Sequence, residues 1–315
     1  MQRKYHLKSK VNKTAQFLWY LQNFIRHGTF SPSIKQIVPI KDRIFVIGNG
    51  PSLNTDITSH IKDLCLEDIM MVNQALTHTL AFELKPKYYM LMDPAYWGFY
   101  TDKEDIDGGL TQCVKCLNEA FSRVDWEMNV FAPYHYYHKR TAKSLVLNNP
   151  KLHIYTFNAV ELYTFSMLQR WLYRHNFAIP SGINVLLAGL CCAVTMGYKE
   201  IYLLGADSTW HKQLEVDENN RVYSLETHYY HNQKEKIYTP YPLSFHMQCI
   251  AEAFKAYDTL GVAFPYIYNL SSVSMIDAFK RKNIDSILGS GGGDTKHLVI
   301  LLYSLFLIKR GAYVS

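Results

Sequence analysis

The stretch that most limits the fold is Arg43 to Asn54, RIFVIGNGPSLN. An unbroken apolar run of strand length enters Gly48-Asn49-Gly50, and Pro51, Ser52 and a helical pattern follow. A strand without polar alternation is buried on both faces, as in parallel sheets covered by helices. The same device recurs: DIMMVNQ ends at Asn73, PKYYMLMDP stops at Asp93-Pro94, and KEIYLLGAD ends at Gly205-Ala206-Asp207. EMNVFAPY, KLHIYTF and VAFPYIYNL read as further strands, the first two separated by a polar, helix-like stretch. Helical spacing is read over Leu53 to Leu64, AVELYTFSMLQRWLYR, PSGINVLLAGLCCAVTMG with Ser181 as its cap, SFHMQCIAEAFKAYDTLG and the short SMIDAFK. Trp97 to about Leu110 reads as loop. The alternation predicts an α/β fold, a Rossmann-like doubly wound, mostly parallel sheet, with ligands at the carboxyl ends of its strands. That domain is expected over residues 41–288, with a polar, aromatic lid at about 208–240. A basic extension over 1–40 and a Gly-rich linker with an apolar segment over 289–315 flank it.

Composition narrows the class. The 315 residues are 48% hydrophobic, ample for a sizeable core and unlike a disordered chain. Tyr is plentiful at 24, which suits a polar, ring-containing ligand, although most tyrosines in any fold are packing. The net charge of +6 is uneven: MQRKYHLKSKVNKT holds several Lys and Arg and no acid. Such an end suits an anionic surface, RNA or membrane, and equally plain solvation. LVILLYSLFLI, Leu298 to Ile308, is about half a membrane span and follows GSGGGD. It reads as an interfacial helix, a partner-binding helix or a last element of the fold. The expectation is a cytoplasmic protein, for lack of a signal peptide, touching the inner membrane peripherally through both ends and binding no nucleic acid. Homo-oligomers are allowed for. Of six scattered cysteines, Cys113 and Cys116 form a lone C-x-x-C, too few for a structural zinc, and Cys191 and Cys192 read as core filler.

Gly48-Asn49-Gly50 invites comparison with the dinucleotide fingerprint, which needs a third glycine and an acid after the second strand. Leu53 and Asn73 occupy those places. NAD is therefore set aside, while backbone N–H groups at a helix start still favour a nucleotide phosphate.

Two blocks, IGNGPSL followed by VNQ, and SGINVLLAGLCCAVTMGYKEIYLLGAD followed by HYYH, resemble bacterial sialyltransferases of glycosyltransferase family 42. The related core group, which includes flagellin-modifying motility-associated proteins and pterin-pyrophosphokinase-like enzymes, is similar too. The resemblance runs from Arg43 to Leu288. It implies a GT-A variant that moves a sugar from a CMP-activated nonulosonic acid to a glycan or glycolipid acceptor, with inversion and no metal or other cofactor. It places Gly48, Asn49, Gly50 and Ser52 at the donor phosphate, with Asn73 after the second strand. Ser181 and Gly182 would contact the donor, Gly205 and Asp207 would form the cytidine-side turn, and His228 would be the general base. Its setting would be surface polysaccharide or lipooligosaccharide assembly on the cytoplasmic membrane face. Two positions depart from the family pattern. Ala178 stands where an arginine precedes the Ser-Gly pair, with Arg174 one turn back, and Thr209-Trp210 stands where a tyrosine follows Asp207. The departures bear on which sugar is used, a sialic acid, another nonulosonate or Kdo.

The residue types fit such chemistry on their own terms. A histidine titrates near working pH, as a base for an acceptor hydroxyl should. Without a metal, hydroxyls and amides must stabilise the departing phosphate, and Tyr223, Tyr229 and Tyr230 lie in the right segment. Each of these has a plain alternative as lid packing. His228 competes with His231, His211 and His246. Asp105-Ile106-Asp107, a literal Asp-x-Asp, sits in a charged turn, and Asp93 is equally a donor contact or a turn cap. The pyrophosphokinase alternative needs Mg²⁺ held by several carboxylates, which the strand ends do not offer. A non-catalytic nucleotide-binding protein is the third reading, in which His228 would be dispensable.

Overall fold

The computed structural model describes residues 2–164, 166–226 and 235–289. Seven short parallel strands form its centre: β1 (Arg43–Ile47), β2 (Asp68–Val72), β3 (Tyr88–Met90), β4 (Met128–Pro133), β5 (Leu152–Phe157), β6 (Glu200–Leu204) and β10 (Ile267–Asn269). Strands β1 and β2 are buried almost throughout, which is why neither alternates. The sheet order is β10-β6-β1-β2-β3-β4-β5. The chain therefore steps outward from β1 to β5, then returns to lay β6 on the other side of β1. That reversal is the point where open α/β sheets part their loops into a crevice. Between β6 and β10, β7 (Leu214–Val216), β8 (Val222–Glu226) and β9 (Glu235–Tyr238) form a separate antiparallel sheet.

The helices correct several expectations. The one read over Leu53 to Leu64 is two single turns, α2 (Leu53–Asp56) and α3 (Ile61–Leu64). A turn α4 (Thr79–Leu84) precedes β3, and α5 (Gly109–Ser122) starts inside the expected loop. The polar stretch after β4 gives only α6 (Tyr134–His138). AVELYTFSMLQRWLYR is helical only over α7 (Ser166–Arg174), because Leu162 and Ile179 trade backbone bonds beforehand: Leu162 N donates to Ile179 O (3.1 Å), and Ile179 N to Val160 O (2.9 Å). Asn184, not Ser181, caps α8 (Val185–Met196), its Oδ1 accepting the Leu186 N–H at 2.8 Å. Gly189 on α8 faces the sheet so closely that a Cβ would meet Met70 Sδ at 3.1 Å, and Cys191 and Cys192 are fully buried. Helix α9 (Leu243–Ala263) runs on through Val262, shortening VAFPYIYNL to β10. SMIDAFK forms no helix, since its backbone and Ser274 serve the loop after β6.

The N-terminal helix α1 (Gln2–His27) joins the core through Tyr20 and Phe24, and the Tyr20 hydroxyl donates to Phe177 O at 3.0 Å. Burial of each ring contributes about 1.5–3 kcal/mol. Residues 1–280 form one compact unit, and of the second, helix α10 (Ile284–Leu288) is described, capped by Asn283 Oδ1 on the Asp285 N–H (2.8 Å). Among the described residues no helix is long and apolar enough to cross a membrane; Leu298 to Ile308 lie outside them.

Candidate active site

Strands β1 and β6 run in register with Ile47 opposite Leu204, so Gly48 and Gly205 leave the sheet side by side. Their loops are stitched together: Gly48 N donates to Leu204 O and Gly50 N to Gly205 O, both at 2.8 Å. This crossing explains the glycines. A Cβ on Gly48 would lie 2.6 Å from Gly205 O, and one on Gly50 would lie 2.7 Å from the same oxygen and also strike the Asp207 carboxylate. Gly205 adopts a left-handed φ of +58°, which a side chain strains. The absent side chains make room first for the opposite loop.

Asp207 locks the crossing. Its Oδ1 accepts the Ser52 hydroxyl at 2.6 Å and its Oδ2 the Ser52 N–H at 3.1 Å. Burial pushes its carboxyl above the usual aspartate range, while the two Ser52 bonds pull it back. The segment after β10 braces the far side: Ala206 N donates to Ser271 Oγ (3.0 Å), Ser274 Oγ to Ala206 O (2.6 Å), and Met275 N to Asp207 O (2.9 Å).

Above the crossing opens a cavity of about 420 Å³, a size that suits a drug-sized ligand. Gly48, Asn49, Gly50, Asn73, Gly205, Asp207 and Trp210 all line it, so seven positions singled out in the sequence meet there. Asn73 takes a left-handed φ of 49° directly after β2. Asn49 Nδ2 points at Val72 O at 3.5 Å, leaving its Oδ1 on the other side. The side-chain oxygens of Asn49 and Asn73 are both buried without a hydrogen-bond partner. Buried acceptors of this kind cost about 1–3 kcal/mol each unless satisfied.

Other expected residues lie elsewhere. Ser52 is consumed by Asp207 and does not line the cavity. Nor do Ser181 and Gly182: the Ser181 hydroxyl accepts from Ile183 N (3.2 Å), and the Gly182 N–H donates to Glu161 Oε1 (2.5 Å). Their neighbours Ile183 and Asn184 take the wall instead. Asp93 accepts the Ala95 N–H at 2.8 Å and caps a short turn. Burial raises the carboxyls of both Asp93 and Glu161, and both bear on the Tyr136 hydroxyl. Tyr223 donates to Glu215 Oε2 at 2.5 Å, which pushes its hydroxyl up to about 12. Successive strand residues face opposite sides, and on β8 it is Ser224 that lines the cavity. His228, Tyr229, Tyr230 and His231 lie outside the described residues.

The sequence reading missed Asn184, Gln213, Tyr238 and Thr239 as lining residues. Asn184 carried a usable signal, an Asn directly before an apolar helical run. Cavity-lining His246, on α9, meets Thr239 Oγ1 at 3.1 Å, and burial lowers its pKa below the usual histidine value. Among the described residues no Lys or Arg lines the cavity, and Asp207 is its one carboxylate. No cluster of three His, Cys, Asp or Glu able to hold a metal occurs among those residues.

No protein-family model matches the chain, and no curated protein matches it. Among solved structures it is similar to a MAf glycosyltransferase from Magnetospirillum magneticum AMB-1, at 14% identity and a TM-score of 0.41, over 79% of this chain and 37% of that one. It is also similar to a mammalian sialyltransferase, at 12% identity and a TM-score of 0.31, over 82% of this chain and 85% of that one. The chain thus spans little more than a third of the length of the Magnetospirillum protein, and neither likeness assigns a role to any residue here.

Proposed function

We propose that this chain is a glycosyltransferase that moves a CMP-activated acidic sugar, a sialic acid or related nonulosonate, onto a glycan acceptor, with inversion and without a metal. The observation that carries the reading is the cavity at the β1/β6 crossing. Its wall is built from amides and hydroxyls, Asn49 and Asn73 among them, without a described Lys or Arg. A di- or triphosphate calls for cations or a metal held by several carboxylates. A CMP-activated acidic sugar carries one phosphodiester and one carboxylate, single charges that backbone N–H groups, amides and hydroxyls can hold without a metal. The pyrophosphokinase alternative is less well served, because the one described carboxylate is already bonded to Ser52. The family 42 resemblance of IGNGPSL and SGINV…LLGAD points to the same donor.

In the reaction a base takes the acceptor hydroxyl's proton as its oxygen bonds to the anomeric carbon. The bond from that carbon to the phosphate oxygen breaks, and CMP leaves. The resemblance gives the base as His228. A second reading is favoured by the geometry of the described cavity: His246 stands in its wall beside Thr239, and burial lowers its pKa, the direction that suits a base. The setting proposed is assembly of a surface glycan at the cytoplasmic face of a membrane.

The test is binding and turnover together. CMP should raise the melting temperature with or without EDTA, and a panel of CMP- and UDP-sugars should show transfer only from CMP donors. His228→Ala and His246→Ala, assayed side by side, should both keep CMP affinity while one loses turnover, which names the base. A shift with ATP and Mg²⁺ but none with CMP would overturn the reading in favour of pyrophosphoryl transfer. Binding of CMP with full activity in neither the parent nor any variant would leave a nucleotide-binding protein.

A further inference from the structure

A second cavity, of about 630 Å³, lies at the opposite ends of the strands, where Lys199 precedes β6 and Tyr266 precedes β10. Arg174 and His175, at the end of α7, and Lys35, from the turn before β1, complete its charged wall. Among the described residues no Asp or Glu lines it. Lys199 is paired with Asp42 at 2.8 Å, but the other two permanent cations have no carboxylate partner among the described residues. The Lys35 ammonium sits 4.0 Å from the centre of the Phe177 ring, and burial lowers its pKa. Arg174 donates to the Tyr266 hydroxyl at 3.4 Å, which leaves that hydroxyl's own proton for another acceptor. Lys35, Arg174 and Lys199 are exposed, so their charges face one open hollow, and a phosphate takes several such donors at once.

The rim adds a second observation. Phe177, which carries Lys35, also stacks on Trp171 (5.4 Å) and meets Phe30 edge-on (6.3 Å). Phe30 is 78% exposed and Trp171 51%. Exposed aromatic side chains around a cationic hollow fit a lipid interface, where rings enter the headgroup layer and Lys or Arg meet the phosphates.

We infer that the cavity formed by Lys35, Arg174, His175, Lys199 and Tyr266 binds the phosphate group of an anionic phospholipid, with Phe30 and Trp171 entering the membrane surface beside it. This site is separate from the Gly48–Gly205 crossing and does not rest on the transferase reading. Lys35 and Phe30 come from the N-terminal 40 residues, while Arg174, His175, Lys199 and Tyr266 come from the α/β domain.

Flotation of the full chain with vesicles tests it, using phosphatidylcholine alone and phosphatidylcholine mixed with phosphatidylglycerol; melting curves with inorganic pyrophosphate give the soluble arm. The parent should bind only the mixed vesicles, and pyrophosphate should raise its melting temperature. The double variant Lys35→Gln/Arg174→Gln should bind mixed vesicles about thirtyfold more weakly and lose the pyrophosphate response. Phe30→Ser, which keeps every cation, should weaken vesicle binding but not the pyrophosphate response. Unchanged responses in the double variant overturn the site. A pyrophosphate response without vesicle binding overturns the lipid as its ligand.

Discussion

Asp207 joins the two loops of the crossing through Ser52, whose hydroxyl and N–H reach its two oxygens at 2.6 and 3.1 Å. Asp207→Ala removes both acceptors and leaves two buried donors unsatisfied. At about 1–3 kcal/mol for each orphaned donor, less the relief of removing a buried charge, the loss should be about 2–4 kcal/mol. For a domain of this size that is a fall in melting temperature of roughly 4–15 °C. Asp207→Asn behaves differently. Its Oδ1 can accept the Ser52 N–H while its Nδ2 donates to the Ser52 hydroxyl, so both contacts survive and the loss stays below about 1 kcal/mol.

The pH dependence separates the two effects of this residue. Burial raises the folded-state pKa of Asp207 above its unfolded value, so folding favours the protonated form. Stability from this group is complete below about pH 4, the unfolded aspartate value, and is lost as pH rises through the folded pKa. Asp207→Asn never ionises and escapes that loss, so its stability relative to the parent should be best at neutral pH and decline toward pH 4. Urea melts of the parent, both Asp207 variants, Ser52→Ala and Ser52→Ala/Asp207→Ala provide the measurement. The double variant should lose less than the two single losses combined, since both remove the same contact. Full additivity, or an Asp207→Ala protein as stable as the parent, would refute the lock.

Three further outcomes follow from the same geometry. Gly50→Ala drives a Cβ to 2.7 Å from Gly205 O, so it should cost about 1–3 kcal/mol in urea melts and weaken CMP binding by calorimetry as the loops part. Tyr223→Phe should leave kcat unchanged in the transfer assay, because that hydroxyl is spent on Glu215 and lies outside the cavity; a large drop in kcat would show that the lid brings it to the substrate. If His246 is the base, the acid limb of kcat/KM should bend below about pH 6.5, since burial depresses its pKa, and a limb above that value would exclude it.

The parallel sheet was legible because β1, β2 and β6 are continuous apolar runs, and the site's location followed from the polar residues at their ends. Helix limits were not legible, for reasons visible in particular residues. Asn184, and not Ser181, is the cap because the helix begins only at Val185, where Asn184 Oδ1 takes the Leu186 N–H. The SMIDAFK pattern has helical spacing, yet Ser274 and Met275 are spent on Ala206 and Asp207, a demand set by residues about 70 positions away. Tyr223 could not be separated from Ser224 without knowing which face of β8 meets the cavity. His246 carried no local signal, because its place depends on α9 packing beside the lid strands.

The glycines themselves show why a loop motif underdetermines its ligand. Adjacent strands lie about 4.8 Å apart, so two loops leaving a parallel pair at a switch point begin almost in contact. Any chain that crosses them there needs glycine at the contact, whether the cavity above takes NAD, ATP or a CMP-sugar. Gly48, Gly50 and Gly205 meet that steric demand through each other's carbonyls. What distinguishes the ligand must therefore be the groups the crossing leaves unsatisfied. Here the wall offers amides and hydroxyls, Asn49 and Asn73 among them, without a described Lys or Arg. Replacing either Asn by Asp keeps an acceptor but adds a charge beside the phosphate. Each variant should then lose CMP affinity by about tenfold or more, while cytidine, which lacks the phosphate, should bind almost as it does to the parent. Equal losses for CMP and cytidine would place these residues at the base or ribose and away from the phosphate.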